Sequence, residues 1–269
     1  MDDNKLKQLQ SVELDILVIF DKFCQDHDIC YSLFAGTALG AVRHKGFIPW
    51  DDDVDVFMDV KNYDRFIALW HENPVEGYYL QATDDKKSHI NHTKIRKDGT
   101  VLASQNEMKT KEHHGIWIDI FPFYKVPVEE HKRKKFNRTA KIRILFTRDH
   151  IPEKANILVK VAALVSHITP MRIKEIIRIR SEKKLRKFDD LTSGFEYEDI
   201  SAAIWMNKYY PSTMFDRYTN ISFNNKIFRI VADYKKMLEI KYGDYMQLPP
   251  IEERVCRHNP EVIEFGDDK

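Results

Sequence analysis

The feature that most constrains this sequence is an acidic and apolar stretch at residues 51–57, which reads Asp-Asp-Asp-Val-Asp-Val-Phe. From Asp53 onward polar and apolar residues alternate with a period of two, which predicts a half-buried β-strand. Side chains two apart share one face of a strand, so Asp53 and Asp55 are expected to point the same way. Neighbouring carboxylates repel each other unless a cation lies between them, and hard divalent cations prefer oxygen ligands. The stretch therefore predicts a site for Mg²⁺ or Mn²⁺ on Asp53 and Asp55, with Asp51 as a further ligand.

Acidic clusters of this kind also occur in solvated turns and in calcium-binding loops. The sequence departs from the calcium-binding loop pattern at two required positions when Asp51 is counted as the first. Its sixth residue would be Gly and is Val56, and its twelfth would be Glu and is Asn62. The solvated turn stays open as an alternative to the metal site.

The residues before the acidic stretch are typical of a phosphate-binding turn. Apolar residues between positions 6 and 23 recur every three or four residues, which predicts an amphipathic helix ending near residues 26–28. Residues 31–34 predict a short strand, Gly36-Thr37 a turn, and residues 38–42 the opening of a helix. Glycine lets backbone N–H groups approach a phosphate, and a helix N-terminus favours anions. A Gly-Thr pair by itself is more often simply a turn.

A second strand is predicted at residues 115–121, and Pro122 is expected to end it because proline cannot donate to a ladder. Asp119 is the acidic residue within this otherwise apolar strand. A buried Asp needs a partner, so Asp119 is the expected third carboxylate if the two strands are neighbours. A helix cap or a salt bridge is the alternative role for Asp119. Three carboxylates could hold the metal ions that phosphoryl and nucleotidyl transfer require.

Basic residues near these elements are candidates for binding the remaining phosphate oxygens. The first group follows the glycine turn, and the second lies between the two predicted strands. They are Arg43, His44, Lys94 and Arg96.

The composition describes an ordinary globular protein and excludes a disordered chain. Of 269 residues, 43% are hydrophobic and 32% charged, and 43 basic residues nearly balance 42 acidic ones. Three cysteines without a CxxC spacing predict neither a disulfide framework nor a zinc site. No secretory signal is visible, and the longest apolar stretch, residues 155–168, is too short to span a bilayer. A cytoplasmic protein is expected.

A long basic and helical region is predicted between residues 131 and 188, with Pro152 and Pro170 as breaks. Two interpretations of the run 132–148 and the apolar stretch after it stay open. One is a solvated helix face followed by a core helix. The other is a contact with the inner face of a membrane, since polybasic segments are attracted to anionic headgroups. Nucleic acid is not expected as a partner, because aromatic residues are not interleaved with the basic run.

Several motifs together resemble the LicD family. The first two are Phe-Ala-Gly-Thr-Ala-Leu-Gly-Ala-Val-Arg-His at 34–44 and Gly-Phe-Ile-Pro-Trp-Asp-Asp-Asp-Val-Asp at 46–55. The others are Ile-Asp-Ile-Phe-Pro at 118–122 and Tyr-Gly-Asp-Tyr-Met at 242–246, followed by Leu-Pro-Pro, Arg254 and His258. Residues 130–205 carry no recognisable motif of the family.

The resemblance implies an α/β, nucleotidyltransferase-like mixed sheet with flanking helices and a helical insertion. It implies transfer of phosphocholine from CDP-choline to sugars of lipopolysaccharide or teichoic acid precursors, or of phosphoribitol from CDP-ribitol in the similar fukutin-related transferases. Asp53, Asp55 and Asp119 would be the catalytic, metal-binding carboxylates, and Gly36-Thr37 the phosphate-side turn. Arg254 and His258 would contact nucleotide or acceptor phosphates.

On this basis residues 1–269 are predicted to form a single LicD-type transferase domain. It would comprise an N-terminal helix (1–28), a catalytic core (29–125), a basic helical insertion (130–205) and a C-terminal part returning to the core (206–269). The partners expected are a CDP-alcohol and a glycan acceptor, which a lipid could carry. Two alternatives stay open: nucleotide addition to a small molecule, protein or RNA, and a non-catalytic glycan- or lipid-binding protein.

Overall fold

The computed structural model describes residues 1–83, 90–147, 157–256 and 260–266, without the side chains of residues 158 and 159. In chain order the elements are α1 (Asp3–Asp26), β1 (Ser32–Leu33), α2 (Ala35–Arg43), β2 (Asp55–Asp59), α3 (Val60–Glu72), β3 (Tyr78–Gln81), β4 (Thr93–Lys97), β5 (Val101–Ala103), β6 (Trp117–Pro127), α4 (Glu130–Thr147), α5 (Ile157–Ile168), α6 (Met171–Leu185), β7 (Phe195–Asp199), β8 (Tyr218–Phe223), β9 (Lys226–Val231), α7 (Tyr234–Tyr242) and β10 (Val262–Glu264). The mixed α/β class predicted from the sequence is confirmed. Short 3-10 turns lie at Glu107–Lys109, Arg186–Phe188 and Ile251–Glu253.

The chain divides into two compact units. The first comprises Met1–Ala82, Thr93–Phe121 and Met214–Lys269, and the second comprises Thr83–His92 and Pro122–Thr213. The proposed subdivision at residues 28, 125, 130 and 205 stays a prediction.

The first unit is built on a mixed sheet in the strand order β1-β2-β6-β4-β3. The pairs β1–β2, β3–β4 and β4–β6 are antiparallel. Two short antiparallel pairs, β5 with β10 and β8 with β9, complete this unit. The sheet order places β2 and β6 side by side, as the sequence analysis required for Asp119 to approach the acidic stretch.

The predicted N-terminal helix is confirmed as α1. Its apolar stripe is buried, and Phe20 lies edge-on to both Tyr31 and Phe66, with ring centroids 4.8 and 5.4 Å away. Fully burying one such side chain contributes about 1.5–3 kcal/mol, so this stripe fixes α1 against β1 and α3.

Strand β2 begins at Asp55, so the prediction that the strand already includes Asp53 is wrong. Residues 51–53 form a loop in which three successive carboxylates converge. A pleated strand cannot do this, because it sends alternate side chains to opposite faces. The prediction of a turn at Gly36-Thr37 before the helix is also wrong, because α2 begins at Ala35 and both residues lie in its first turn.

Strand β6 continues through Pro122, which the sequence analysis expected to end it. Residues up to Ile120 pair with β4, whereas residues from Phe123 to Pro127 pair with β7. Pro122 falls between these two registers, where its missing N–H removes no bond from either ladder. Proline at a change of partner is therefore compatible with a continuous strand.

The second unit contains α4, α5, α6 and β7, and it confirms the helices predicted in the basic region. Pro170 is the N-cap of α6, as predicted for a helix break, while Pro152 lies outside the described residues. Part of the basic run is buried in this unit, because Arg143 bonds Glu182 at 2.7 Å and Asn91 at 3.1 Å. Within the described residues, no helix is both long and apolar enough to cross a membrane.

Candidate active site

The loop before β2 gathers three carboxylates. Asp51, Asp52 and Asp53 each place an oxygen within 4.8 Å of the others. Asp55, at the start of β2, is buried beside them. Burial, and then the charges of Asp53 and Asp119, raise the pKa of Asp55 well above its usual value. The structure thus brings all four predicted carboxylates together with Asp52, which the sequence analysis had not selected.

Helix α1 contributes a further carboxylate that the sequence analysis missed. Glu13 is only 1% exposed, and its Oε2 atom has no hydrogen-bond partner. Burial, and then the charge of Asp53, raise the pKa of Glu13 well above its usual value, with Asp52 and Asp51 adding to the effect. One turn earlier, Gln10 Nε2 donates to the backbone carbonyl of Asp51 at 2.9 Å. The sequence signal that could have identified Glu13 was an acidic residue inside the apolar stripe of α1.

The first turn of α2 holds the acidic loop in place. Phe34 N–H donates to the Asp55 carbonyl at 2.9 Å, and Asp55 N–H donates to Thr37 Oγ1 at 2.8 Å. Ala35 has a φ of 41°, a left-handed conformation that favours glycine, and this bend starts the helix directly after the strand. An added Cβ on Gly36 would collide with Oδ2 of Asp51. Gly36 is thus required for the close approach of the Asp51 carboxylate.

Thr37 therefore supports Asp55 through its hydroxyl oxygen, and Thr37→Val is expected to destabilise the protein. The substitution leaves the buried Asp55 N–H unpaired, which costs about 1–3 kcal/mol. Thr37→Ser keeps the hydroxyl and serves as the matched control. Urea unfolding of both variants measures the difference. Equal stability of the Val and Ser variants would contradict this role of the hydroxyl.

Asp119 lies opposite Lys94 in the β4–β6 register, and Lys94 Nζ is 3.0 Å from its Oδ1. Trp117 Nε1 donates to the other carboxylate oxygen at 3.1 Å, and Lys94 Nζ lies 4.0 Å from the Trp117 ring centroid. Burial lowers the pKa of Lys94, whereas the charge of Asp119 opposes that shift. Lys94, predicted to bind phosphate, is thus a direct partner of Asp119.

Arg96, the other predicted phosphate ligand on β4, is buried and donates hydrogen bonds to neutral groups, while burial lowers its pKa and the charge of Asp119 opposes that shift. Its Nε donates to Gln81 Oε1 at 2.7 Å and its Nη1 to the Gly115 carbonyl at 2.9 Å. Its guanidinium lies 4.7 Å from the Trp117 ring centroid. These contacts fix Arg96 beneath the Trp117 ring.

Helix α7 places a cation near the carboxylates that the sequence analysis also missed. Lys241 is buried, its Nζ lies 4.2 Å from the Phe34 ring centroid, and its charge opposes the rise in the pKa of Asp55. Met237 and Leu238, four and three residues earlier, share its buried face. The sequence signal that could have identified Lys241 was a lysine three and four residues away from apolar residues of the same helix.

The remaining predicted basic residues gather around the loop that follows α2. Arg43 Nη1 donates to the Tyr245 carbonyl at 3.0 Å, and burial lowers the pKa of Arg43. Trp50 contacts both His44, with ring centroids 6.3 Å apart, and Arg254, whose guanidinium lies 5.5 Å from its ring. Burial, and then the charge of Arg43, lower the pKa of His44. His258 lies outside the described residues.

The donor set fits a hard divalent cation. The charges of the 51–53 loop and of Asp119 contribute to raising the pKa values of Glu13 and Asp55. Among the described residues, Lys94, Arg96 and Lys241 are cations that interact with this cluster. Mg²⁺ and Mn²⁺ are bound by such oxygen ligands, and the orphan Oε2 of Glu13 is consistent with a further cation partner.

Comparison with known proteins identifies the family of the chain. A family model described as "LicD/FKTN/FKRP, nucleotidyltransferase domain" matches residues 28–154. The chain is also 31% identical over 270 residues to the "Lipopolysaccharide cholinephosphotransferase LicD" of Haemophilus influenzae, covering 96% of this chain and 97% of that protein. The chain belongs to the LicD family. The LicD match at 28–154 contains the 51–55 carboxylates, Asp119 and Lys94, whereas Glu13 and Lys241 lie outside it.

Proposed function

We propose that this LicD family member transfers phosphocholine, or a related phospho-alcohol, from a CDP-alcohol to a sugar hydroxyl of a cell-surface glycan precursor. The observation that carries the proposal is the convergence of the acidic loop at 51–53 with Asp55 and Asp119, beside the first turn of α2. The relative in Haemophilus influenzae is a lipopolysaccharide cholinephosphotransferase by name, which supports phosphocholine and lipopolysaccharide as the first substrates to test. Teichoic acid and capsule precursors are the other acceptors, and the cytoplasm is the expected location.

Metal binding is part of the proposal. Asp51, Asp53, Asp55 and Asp119 would hold Mg²⁺ or Mn²⁺. Asp52 places an oxygen within 4.8 Å of oxygens of Asp51 and Asp53 and would join them, and the charges of this loop act on Glu13. Such an ion, when bound, would neutralise charge on the diphosphate and help align the attacking and leaving oxygens. Chelation by EDTA is accordingly expected to abolish turnover, and added Mg²⁺ to restore it.

The chain's own residues would orient the two substrates. Backbone N–H groups at Gly36 and Thr37 would face the donor phosphates, since the first N–H groups of a helix lack intrahelical acceptors. Lys94 and Trp117 hold the Asp119 carboxylate in one orientation, in which Asp119 would position or deprotonate the acceptor hydroxyl. The acceptor oxygen forms a bond to the transferred phosphorus, the bond to CMP breaks, and the hydroxyl proton passes to the base or to solvent.

Product analysis tests the proposal directly. The purified protein is incubated with CDP-choline, Mg²⁺ and lipopolysaccharide, and the acceptor is examined by mass spectrometry. The acceptor is expected to gain phosphocholine while CMP is released. Gain of a nucleoside monophosphate would instead establish nucleotidyl transfer, the alternative left open by the sequence.

The donor is best identified by thermal unfolding in Mg²⁺. A ligand at about a hundredfold its dissociation constant stabilises the native state by about 2.7 kcal/mol, so the correct CDP-alcohol should raise the melting temperature. CDP-choline and CDP-ribitol are compared, with CMP as the control for the nucleotide alone. Failure of calorimetry to detect binding of any CDP-alcohol or divalent cation would favour a non-catalytic binding protein.

A further inference from the structure

Helix α5 turns its apolar side chains outward. Five of them recur at spacings of three and four and are half or more exposed, with Leu164 at 51% and Ile168 at 70%. The five are Ile157, Val161, Leu164, Val165 and Ile168. Among the side chains that the structure describes on this helix, the buried ones are small, Ala163 and Ser166. Ser166 Oγ donates to the Leu145 carbonyl of α4 at 2.9 Å. The core-helix interpretation of this stretch is therefore wrong for these five side chains.

Helix α6 shows the same inverted polarity. Its outward apolar residues are Met171, Ile173, Ile176 and Ile179. The buried residues on α6 are Lys174, Ser181 and, at its last position, Leu185, and the helix packs against α4. A helix in a water-soluble unit normally buries its apolar stripe, so two successive helices with the opposite arrangement indicate an interaction surface. We call these nine outward side chains the α5–α6 surface.

The segment that carries the α5–α6 surface is strongly basic. Residues 130–188 contain 18 basic and five acidic residues, although the whole chain carries a net charge of only +1. Arg172, Arg180, Lys183 and Lys184 are exposed on α6 itself. Lysine and arginine near a membrane surface are attracted to anionic headgroups, while apolar side chains enter the boundary between headgroups and acyl chains.

A cleft along α4 in the same unit adds sites suited to anions. Its volume is 660 Å³, and Lys134, Arg138 and Lys141 line it at helical spacing together with Asn137 and Asn207. The three cationic side chains offer charged donors to a headgroup phosphate. Asn137 Nδ2 already donates to Asn207 Oδ1 and to the Tyr209 hydroxyl.

We propose that the α5–α6 surface binds an anionic lipid membrane as an interfacial helical pair that does not span the bilayer. Charge complementarity identifies an anionic membrane as the binding partner, because exposed apolar side chains beside cations match lipid with negative headgroups. A second copy of the chain would bring two basic surfaces together, and their repulsion opposes such a dimer. The inference goes beyond the proposed transfer reaction and does not depend on it.

Vesicle co-sedimentation in the absence of any nucleotide tests the inference. The protein is expected to sediment with phosphatidylcholine vesicles that contain phosphatidylglycerol and not with pure phosphatidylcholine vesicles, and added NaCl should weaken binding. The double variant Leu164→Glu and Ile168→Glu is expected to lose affinity by about tenfold or more, since both side chains would otherwise be buried in the lipid interface. Ile227→Glu is the matched control, because Ile227 is 59% exposed on β9 of the first unit.

Three results would overturn the inference: no sedimentation with anionic vesicles, equal binding to neutral vesicles, or full binding by the double variant. A dimer detected by light scattering that the double variant abolishes, without vesicle binding, would assign the surface to a second copy. Transfer to a water-soluble acceptor sugar is measured in parallel and is expected to be unchanged in the double variant. Loss of membrane binding is thereby distinguished from failure of the proposed function.

Discussion

Asp53→Asn is expected to reduce transfer by on the order of a thousandfold, with no loss of thermal stability. Asp53 belongs to the 51–53 cluster, and its charge is the largest electrostatic influence on both Asp55 and Glu13. An amide cannot replace the negative oxygen ligand of a divalent cation. The same change relieves repulsion among buried carboxylates, so the melting temperature without metal should stay the same or rise. Steady-state kinetics and a thermal melt in EDTA measure the two effects.

A matched control separates this effect from a general loss of negative charge. Asp216→Asn removes one exposed carboxylate of the first unit and is expected to leave both activity and stability unchanged. Asp55→Asn should resemble Asp53→Asn. A variant of Asp53 that kept near-normal, metal-stimulated turnover would remove the basis of the proposed metal site.

Gly36→Ala is expected to reduce transfer by about a hundredfold, because small displacements of catalytic groups have effects of that size. The new Cβ would collide with Oδ2 of Asp51 and lie 3.3 Å from its Cγ, so the carboxylate must move away from the first turn of α2. Affinity for Mn²⁺, measured by calorimetry, should fall with activity.

Gly99→Ala provides the control for alanine at a glycine position. Gly99 has a φ of 74°, and an added Cβ there would have no neighbour within 4 Å. Its substitution should cost about 1 kcal/mol of stability through backbone strain and leave transfer unchanged. If Gly36→Ala lost stability while keeping normal kcat and metal affinity, the contact with Asp51 would have no role in the reaction.

Much of the site's location could be predicted from local patterns. Periodicity correctly predicted α1, and the run of aspartates drew attention to the loop at 51–53. The apolar segment around Asp119 predicted the strand that lies beside β2 in the sheet. These signals depend on residues close in sequence, which is why they could be interpreted without the fold.

The rest depended on tertiary contacts that a single sequence does not display. Glu13 and Lys241 lie on apolar helix faces. A charged residue on such a face ordinarily has a hydrogen-bond or ion-pair partner, or keeps part of its side chain in solvent. Only the packing of α1 and α7 against the acidic loop gives them a common environment. Pro122 was misinterpreted because the change of β6 from one partner to another is invisible without the registers. The outward direction of the apolar stripe on α5 likewise depends on which face α4 covers.

The charged residues of the site lie far apart in the sequence, so they are synthesised at different times during translation. Glu13 and the 51–55 carboxylates leave the ribosome early, Asp119 follows later, and Lys241 comes near the end of the described chain. Contacts between residues so distant in sequence form slowly, because a long loop must close first. The nascent protein therefore carries its acidic cluster before the lysine that faces it has been made. Until Lys241 has been made, ions from the surrounding solution take its place in screening those carboxylates.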